Sequence, residues 1–256
     1  MPTVRYAEQP PPAGLAPFVR DVWAWSTAPD HPDDSFTLPP DPCLSLVLIA
    51  AGPSAWLRIT GPHLRPLVVL AGAGAEIRGV RLRLGAVRPL LGLDPPAWPD
   101  RNDDARHHLP DLAGLVYPHG VDRALALLVD ALSARAASAS PPDALVREAV
   151  AVVESTRGEV RVDDLSRELC VSVRTLQRRF RAETGLAPKA YARVRRFLLA
   201  AANVLRAEPE AWGRVAAEHG YADQAHFARE CAALTGVPPT VFAERMLHIE
   251  HIDVKP

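Results

Sequence analysis

The sequence predicts an α+β chain, in which a domain of mixed strands and helices is followed by an all-α domain. Of its 26 prolines, 21 lie in residues 1–150 and five in residues 151–256. Proline breaks helices and suits turns and strand edges, so the first part favours short strands and the second favours uninterrupted helices. The small, polar stretch 134–142 is typical of a linker. We therefore expect domains at residues 1–140 and 144–248.

The composition is that of an ordinary globular protein. Hydrophobic residues make up 48% and charged residues 23% of the 256 positions, and the formal net charge is −1. No apolar run reaches the ~18 residues of a membrane-spanning helix, and no secretory signal is visible, so we expect a cytoplasmic location. The three cysteines, Cys43, Cys170 and Cys231, are too few and too far apart for a disulfide framework. Each is expected to be a small buried side chain.

In the first half, four apolar runs of strand length lie between Gly and Pro turns. The predicted strands are residues 44–50, 56–60, 67–70 and 77–84. Helical periodicity appears at residues 87–93 and 121–135. These elements predict a mixed strand and helix architecture for the N-terminal domain.

Three groups of residues invite comparison with ligand sites but fit them poorly. Glycines 72, 74 and 79 follow an apolar run, but their spacing does not match a dinucleotide loop, which favours a hairpin turn. A cluster of histidines and carboxylates lacks the helical spacing of metal ligands, so we interpret it as a solvated loop. This cluster consists of Asp103, Asp104, His107, His108 and Asp111. The tail residues His248, Glu250 and His251 are interpreted as a polar terminus.

The C-terminal half contains two copies of one unit, displaced by 51 residues. Each copy begins with a short helix, expected at residues 163–170 and 212–219. A tight turn and a second helix follow, and the second helix has an N-capping side chain and a glycine stop. The capping residues are Ser172 and Gly185 in the first copy and Asp223 and Gly236 in the second. This order of helix, turn and helix is the helix-turn-helix layout, expected at residues 162–185 and 212–236.

The second helix of the first copy separates an apolar stripe from a polar one. Val173, Leu176 and Phe180 form the apolar stripe. The polar stripe, at positions i, i+3, i+4 and i+7, consists of Arg174, Gln177, Arg178 and Arg181. Arginine can bond guanine and glutamine can bond adenine through paired hydrogen bonds, and further arginines neutralise phosphates. One face is therefore suited to packing and the other to reading a duplex.

The local charge supports this interpretation. Residues 171–206 carry nine basic side chains and one acidic side chain, a net +8. An isolated run of arginines is usually just a solvated helix face, but the helix-turn-helix layout together with this charge favours double-stranded DNA as the partner. Residues 207–256 carry four basic and eight acidic groups, a net −4, so we expect the first unit to dominate binding.

The C-terminal half resembles the DNA-binding domain of AraC/XylS-type transcription regulators. The resemblance rests on the segments VRVDDLSRELCVSVRTLQRRFRAETGLAPKAY and GYADQAHFARECAALTGVPPTVF. The N-terminal half resembles a regulator-associated domain of uncertain ligand, through LAPFVRDVWAWS, PDPCLSLVLI and GVRLRLGAVRPLLGL. That domain type commonly has a Pro-Gly pair where this chain has Leu84 and Gly85.

The resemblance implies a seven-helix domain with two helix-turn-helix units, joined by a long helix at residues 188–206. Its apolar residues Tyr191, Val194, Phe197, Leu198 and Leu205 are expected to pack on both units. The residues implied to face bases are Arg174, Gln177 and Arg178 in the first unit and Gln224, Ala225, Ala228 and Arg229 in the second. Arg181, Lys189 and the backbone near Ser172 are expected to contact phosphates.

The sequence thus predicts a bacterial-type transcription regulator whose N-terminal domain senses a small molecule or mediates dimerisation. RNA polymerase and a second copy of the chain are further candidate partners, and no membrane, metal, cofactor or catalytic residue is expected. A purely structural N-terminal domain stays open. So does an enzyme fused to the DNA-binding domain, such as a repair alkyltransferase or a cupin-like metalloenzyme. Cys43, the single N-terminal thiol, lacks the sequence context that an alkyltransferase needs.

Overall fold

A computed structural model describes residues 4–30, 34–204, 211–247 and 249–252. The strands are β1 (Val4–Gln9), β2 (Val19–Thr27), β3 (Asp34–Leu38), β4 (Ser45–Ala51), β5 (Ser54–Thr60), β6 (Leu67–Ala71), β7 (Glu76–Leu82), β8 (Asn102–Asp104) and β9 (Ile249–Ile252). The helices before residue 140 are α1 (Val87–Leu91), α2 (Pro110–Val116) and α3 (Val121–Ala136). No helix in the described ranges is both long and apolar enough to cross a membrane.

The strands form two sheets. The larger has the order β8-β5-β4-β7-β2-β1-β9, and β3 pairs with β6 in a separate two-stranded sheet. Within the described ranges, all strand pairs are antiparallel except β1 with β9. Strand β9 comes from the C-terminal half, so residues 249–252 extend the sheet of the N-terminal half. The sequence pattern did not indicate this strand, and residue 248 lies outside the described ranges.

One face of the large sheet carries the hydrophobic core. Leu46 and Leu48 of β4 and Val80 and Leu82 of β7 are fully buried together with Leu128 of α3. The four predicted strands are confirmed as β4 to β7, and the two predicted helices as α1 and α3, with ends shifted by a few residues. An α+β N-terminal half is therefore confirmed.

The opposite face carries a polar network, which explains why β1 and β2 were not predicted. The Arg81 guanidinium donates hydrogen bonds to Glu8 of β1 at 2.9 Å, Asp21 of β2 at 2.9 Å and Asp41 at 2.8 Å. Because the apolar Val4 and Trp25 share this face with the charged Glu8 and Asp21, these strands lack the simple alternation of a half-buried strand.

Three sequence interpretations of this half were wrong. Glycines 72 and 74 do not form a hairpin turn, because β6 pairs with β3 whereas β7 pairs with β2 and β4. Gly79 lies inside β7, where a Cβ would fall 2.1 Å from the Trp23 ring. The segment expected to be a solvated loop is β8 followed by a 3₁₀ turn, Ala105–His107. Asp103 there pairs with Arg101 and His108.

The cysteines differ from expectation at one position. Cys43 and Cys231 are buried as predicted, but Cys170 is exposed. Cys170 occupies the turn after a short helix, where its φ of 51° is in the left-handed region. In the described ranges no three His, Cys, Asp or Glu side chains are grouped as metal ligands.

The second half of the chain is helical. Its helices are α4 (Ala144–Ser155), α5 (Val162–Glu168), α6 (Val173–Thr184), α7 (Pro188–Val204), α8 (Trp212–Glu218), α9 (Gln224–Thr235) and α10 (Pro239–Leu247). The described residues thus contain the seven helices that the family resemblance implied. Helix α3 extends through residue 136, so the first part of the predicted linker is helical and the break covers residues 137–143.

Candidate nucleic-acid interface

Helix α6 is the first candidate recognition helix, and its ends form as the sequence predicts. The Ser172 hydroxyl accepts a hydrogen bond from the Thr175 backbone N–H at 3.1 Å, which caps the N-terminus. Gly185, with a φ of 77°, ends the helix in the left-handed conformation. Leu176 and Phe180 are fully buried against α4, α5 and α7. The helix is therefore held by one face, and its other face is available.

The free face of α6 is a row of polar side chains. Arg174, Gln177, Arg178 and Arg181 are all exposed, and Lys189 at the start of α7 is exposed as well. In the described part of the chain, no carboxylate forms a salt bridge with any of these four cations. We name these five residues the reading face. Their charges are uncompensated within the described structure, which suits a polyanionic partner.

Other arginines of the same segment are neutralised, so the sequence count of +8 overstates the free charge. Arg179 pairs with Asp143 of the α4 N-cap, and Arg195 pairs with Glu154 of α4. Burial tends to raise the pKa of Asp143, but the hydrogen bonds from Arg179 and from the Val146 backbone N–H, together with the Arg179 charge, lower it below the usual value. Both acids lie before residue 171, outside the segment whose charges were counted.

Two further arginines of α7 turn inward to a single acid of the second unit. Glu230 of α9 is 8% exposed and accepts hydrogen bonds from Arg193 at 3.1 Å and Arg196 at 3.2 Å. The Tyr221 hydroxyl donates a third at 2.8 Å. Burial tends to raise the pKa of Glu230, but these hydrogen bonds and the Arg196 charge lower it below the usual value. Glu230 is therefore a buried, ionised carboxylate that holds α7 and α9 together.

Sequence reasoning missed Glu230, although a signal for it exists. Glu230 lies three residues after Phe227 and four before Leu234, both of which are buried on the apolar stripe of α9. A carboxylate at that spacing falls on the packing side of the helix. Such a position requires a cationic partner from another element, which here is α7.

Helix α9 is the second candidate recognition helix and has the same caps. Asp223 accepts a hydrogen bond from the His226 backbone N–H at 2.6 Å, and Gly236 ends the helix with a φ of 77°. The His226 ring packs edge-on against Tyr221, with 5.2 Å between ring centroids. Of the implied base-facing residues Gln224, Ala225, Ala228 and Arg229, only Ala228 is half-buried and the others are exposed. This face offers one cation, Arg229, where α6 offers three.

Helix α7 connects the two units and packs against both. Tyr191 is buried in the cluster of the first unit, and Val194 and Phe197 are buried in that of the second. Leu198 is partly buried against the second cluster, whereas Leu205 lies outside the described residues. The Tyr191 hydroxyl also bonds Glu154. The packing expected for the connector is confirmed for its described part.

The fold and this geometry define a helix-turn-helix DNA-binding protein. Residues 165–245 match the family model described as a helix-turn-helix domain, and residues 7–103 match a domain of unknown function (DUF6597). The helix-turn-helix domain is of AraC type, and the chain is a DNA-binding transcription regulator. No curated protein matches the sequence.

Several solved structures are similar to parts of the chain. An AraC-type transcriptional regulator from Chromobacterium violaceum is 24% identical over 41% of this chain and 91% of its own, with a TM-score of 0.36. ToxT from Vibrio cholerae is 10% identical over 84% of this chain and 95% of its own, with a TM-score of 0.47. Neither likeness is close enough to carry a functional argument.

Proposed function

We propose that the two helix-turn-helix units bind adjacent major-groove segments on one side of a DNA duplex, with the first unit providing most of the specificity. The observation that carries this proposal is the reading face, whose cations have no acidic partner in the described structure. In this proposal Arg174, Gln177 and Arg178 contact bases. Arg181 and Lys189 contact phosphates, as does the helix N-terminus at Ser172.

The length of the connector supports the placement of both units on one duplex. Helix α7 has 17 residues and is about 25 Å long at ~1.5 Å per residue. Its N-terminal part packs on the first unit and its later part on the second. Successive major-groove faces are ~34 Å apart, which is compatible with this arrangement.

The second unit is proposed as the weaker reader. Gln224 and Arg229 are its polar side chains on the face toward DNA, and Ala225 and Ala228 contribute only small apolar contacts. A single bidentate arginine discriminates one base pair, whereas the first unit can use several such side chains. This unit is also the candidate contact for RNA polymerase or an adjacent subunit.

Residues 1–140 are proposed as a sensor or dimerisation domain and residues 144–248 as the DNA-binding domain of a cytoplasmic regulator. Leu64 of the first part packs against the hydrophobic clusters of both helix-turn-helix units, and this contact supports a role in which the first part acts on the second. We propose a regulator in preference to an enzyme such as a repair alkyltransferase, because burial raises the pKa of the Cys43 thiol to about 12, which disfavours the reactive thiolate. A thermal-shift screen of small molecules tests the sensor role, because a ligand at 100 times its dissociation constant stabilises by ~2.7 kcal/mol.

Adjacent arginines on α6 provide a sharp test of DNA binding. A preferred duplex is first selected from random-sequence DNA with the full chain. Arg178→Ala is then expected to cost ~1–3 kcal/mol of binding and to relax preference at one position, whereas Arg181→Ala weakens all sequences alike and lowers the salt slope by about 1. Arg179→Ala is the matched control, because Arg179 pairs with Asp143. Equal losses for Arg178→Ala and Arg179→Ala, or affinity independent of salt, would contradict the proposal.

A further inference from the structure

Two proline-rich loops of the N-terminal half form a single unit beside the helical half. They are residues 61–66, with the sequence GPHLRP, and residues 95–100, with the sequence PPAWPD. The Asp100 backbone N–H donates to the Pro62 carbonyl at 2.8 Å, and the Leu64 N–H donates to the Asp100 carboxylate at 3.3 Å. We name these two loops the proline bracket. Its ring-constrained, hydrogen-bonded backbone is stiff.

The proline bracket contacts the C-terminal end of each recognition helix. A Cβ at Gly185, the cap of α6, would lie 2.6 Å from the Pro95 carbonyl oxygen. A Cβ at Gly236, the cap of α9, would lie 3.0 Å from the Pro66 ring. The C-terminal glycine cap, which occupies the same position in both helix-turn-helix units, is therefore contacted in each unit by the proline bracket of the N-terminal half. The absence of a side chain at these glycines permits the close approach.

Leu64 lies at the centre of this contact. It packs against the hydrophobic cluster of the first unit and also against that of the second. No buried residue belongs to both clusters, and Leu64 is the one hydrophobic side chain of the described residues assigned to both. A side chain shared in this way couples the positions of two cores that are otherwise joined through α7.

A second contact reinforces the bracket at α6. Arg88 of α1 donates to Asp94 at 2.8 Å, directly before the second loop of the bracket, and to the Ala182 carbonyl near the end of α6 at 3.3 Å. Its guanidinium also lies 3.9 Å from Glu183. The N-terminal half thus holds the last turn of α6 through both backbone and side-chain contacts.

The bracket and the base-facing residues of α6 lie at opposite ends of that helix. The bracket touches the caps after residues 184 and 235, whereas Arg174, Gln177 and Arg178 occupy the first turns of α6 and stay exposed. The contact therefore leaves the base-facing side chains free. The proline bracket can therefore set the angle and distance between the two recognition helices without covering their base-facing side chains.

We propose that the proline bracket fixes the relative orientation of the two recognition helices, and that Leu64 is a positioning residue for half-site spacing. This inference rests on the proposed function, in which both units engage one duplex. A rigid pair of units accepts one spacing, because each inserted base pair rotates the second half-site around the helix axis. Loosening the bracket is expected to broaden the accepted spacing.

The test compares spacing profiles of the full chain and of Leu64→Ala. Affinity is measured for the duplex selected by the full chain and for versions with one or two base pairs inserted between the two contacted segments. For the unaltered chain, each insertion is expected to lower affinity by roughly tenfold or more, the size of a base mismatch. For Leu64→Ala, the penalty for an insertion is expected to fall severalfold. The affinity of this variant for the duplex with the original spacing is expected to fall by a smaller factor.

Leu70→Ala is the matched control, because it makes the same change at a side chain that is 83% exposed on β6. Its spacing profile should equal that of the unaltered chain. Pro66→Ala, which removes the ring beside Gly236, is the second variant if Leu64→Ala does not fold. Identical spacing penalties in the unaltered chain and both bracket variants would overturn the inference. An unaltered chain that tolerates every spacing would instead contradict the proposed two-unit binding, and the inference with it.

Discussion

The Arg196 guanidinium of the connector lies 3.2 Å from the Glu230 carboxylate of the second recognition helix, in an ion pair that is largely shielded from solvent. The same guanidinium lies over the Tyr221 ring, at 4.6 Å from its centroid. Arg196 thus contacts the charge and the aromatic ring that together hold α9 against α7. A side chain counted from sequence as part of a DNA-binding charge serves instead to assemble the second unit.

Removal of Glu230 is expected to destabilise the protein strongly. Glu230→Ala should lower the free energy of unfolding by about 3 kcal/mol, because it leaves Arg193, Arg196 and the Tyr221 hydroxyl without their common acceptor. Urea unfolding followed by circular dichroism measures this loss. Glu218→Ala is the control, because its exposed pair with Arg214 should contribute no more than about 0.5 kcal/mol. Similar losses for both variants would show that the Glu230 cluster does not stabilise the fold.

The same cluster predicts a pH dependence. The pKa of Glu230 is lowered on folding from its usual 4.5, so the unfolded chain binds the proton more tightly than the folded one. The resulting stability is present above the unfolded pKa and is lost as pH falls through the folded pKa. Glu230→Gln should therefore lose less stability on acidification than the unaltered chain. Parallel curves of unfolding free energy against pH would contradict the assignment.

The contact between the N-terminal half and α6 can be tested with two glycines in the same conformation. Gly92 caps α1 with a φ of 71° and Gly185 caps α6 with a φ of 77°, but a Cβ at Gly92 would meet no atom within 4 Å. Gly92→Ala should cost ~1–2 kcal/mol from the left-handed backbone alone. Gly185→Ala should cost ~1–3 kcal/mol more, because its Cβ would overlap the Pro95 carbonyl. Equal costs in urea unfolding would indicate that the two halves are not docked there in solution.

The two units should differ in how much they contribute to specificity. Base substitutions under the first recognition helix are expected to cost ~1–3 kcal/mol each, and those under the second distinctly less. Arg229→Ala should likewise cost less binding free energy than Arg178→Ala, because Arg229 is the single cation of its face. Competition binding with a complete set of single-base variants measures both halves. A matrix with equal information in the two halves would refute the asymmetry.

The thiols should fall into two classes. Cys170 is exposed, so an aromatic disulfide reagent should modify it rapidly in the native protein. Cys43 and Cys231 are buried, and burial raises the pKa of both thiols, so they should react only on unfolding. Cys170→Ser should abolish the fast phase. Rapid native-state modification of Cys43 would instead support a reactive thiol in the N-terminal half.

Local sequence signals predicted the helix-turn-helix units closely. The capping residues Ser172, Asp223, Gly185 and Gly236 act within a turn of their own helices, and all four behave as expected. The apolar stripe of α6 follows from its periodicity in the same way. By contrast, β1 and β2 were missed because their buried polar residues find partners on β7, which is distant in sequence.

The sequence did not predict which arginines of this segment form ion pairs and which stay free. Arg178 and Arg179 are adjacent and identical in type, yet Arg178 is exposed whereas Arg179 meets Asp143, 36 residues earlier. Sequence determined that a basic helix with an apolar stripe forms here, because periodicity and capping are short-range effects. The fold alone decided which charges face outward, because ion pairing depends on distance in space between elements. For the same reason, only the tertiary structure places Leu64 against two units that begin 98 and 148 residues later in the chain, at residues 162 and 212.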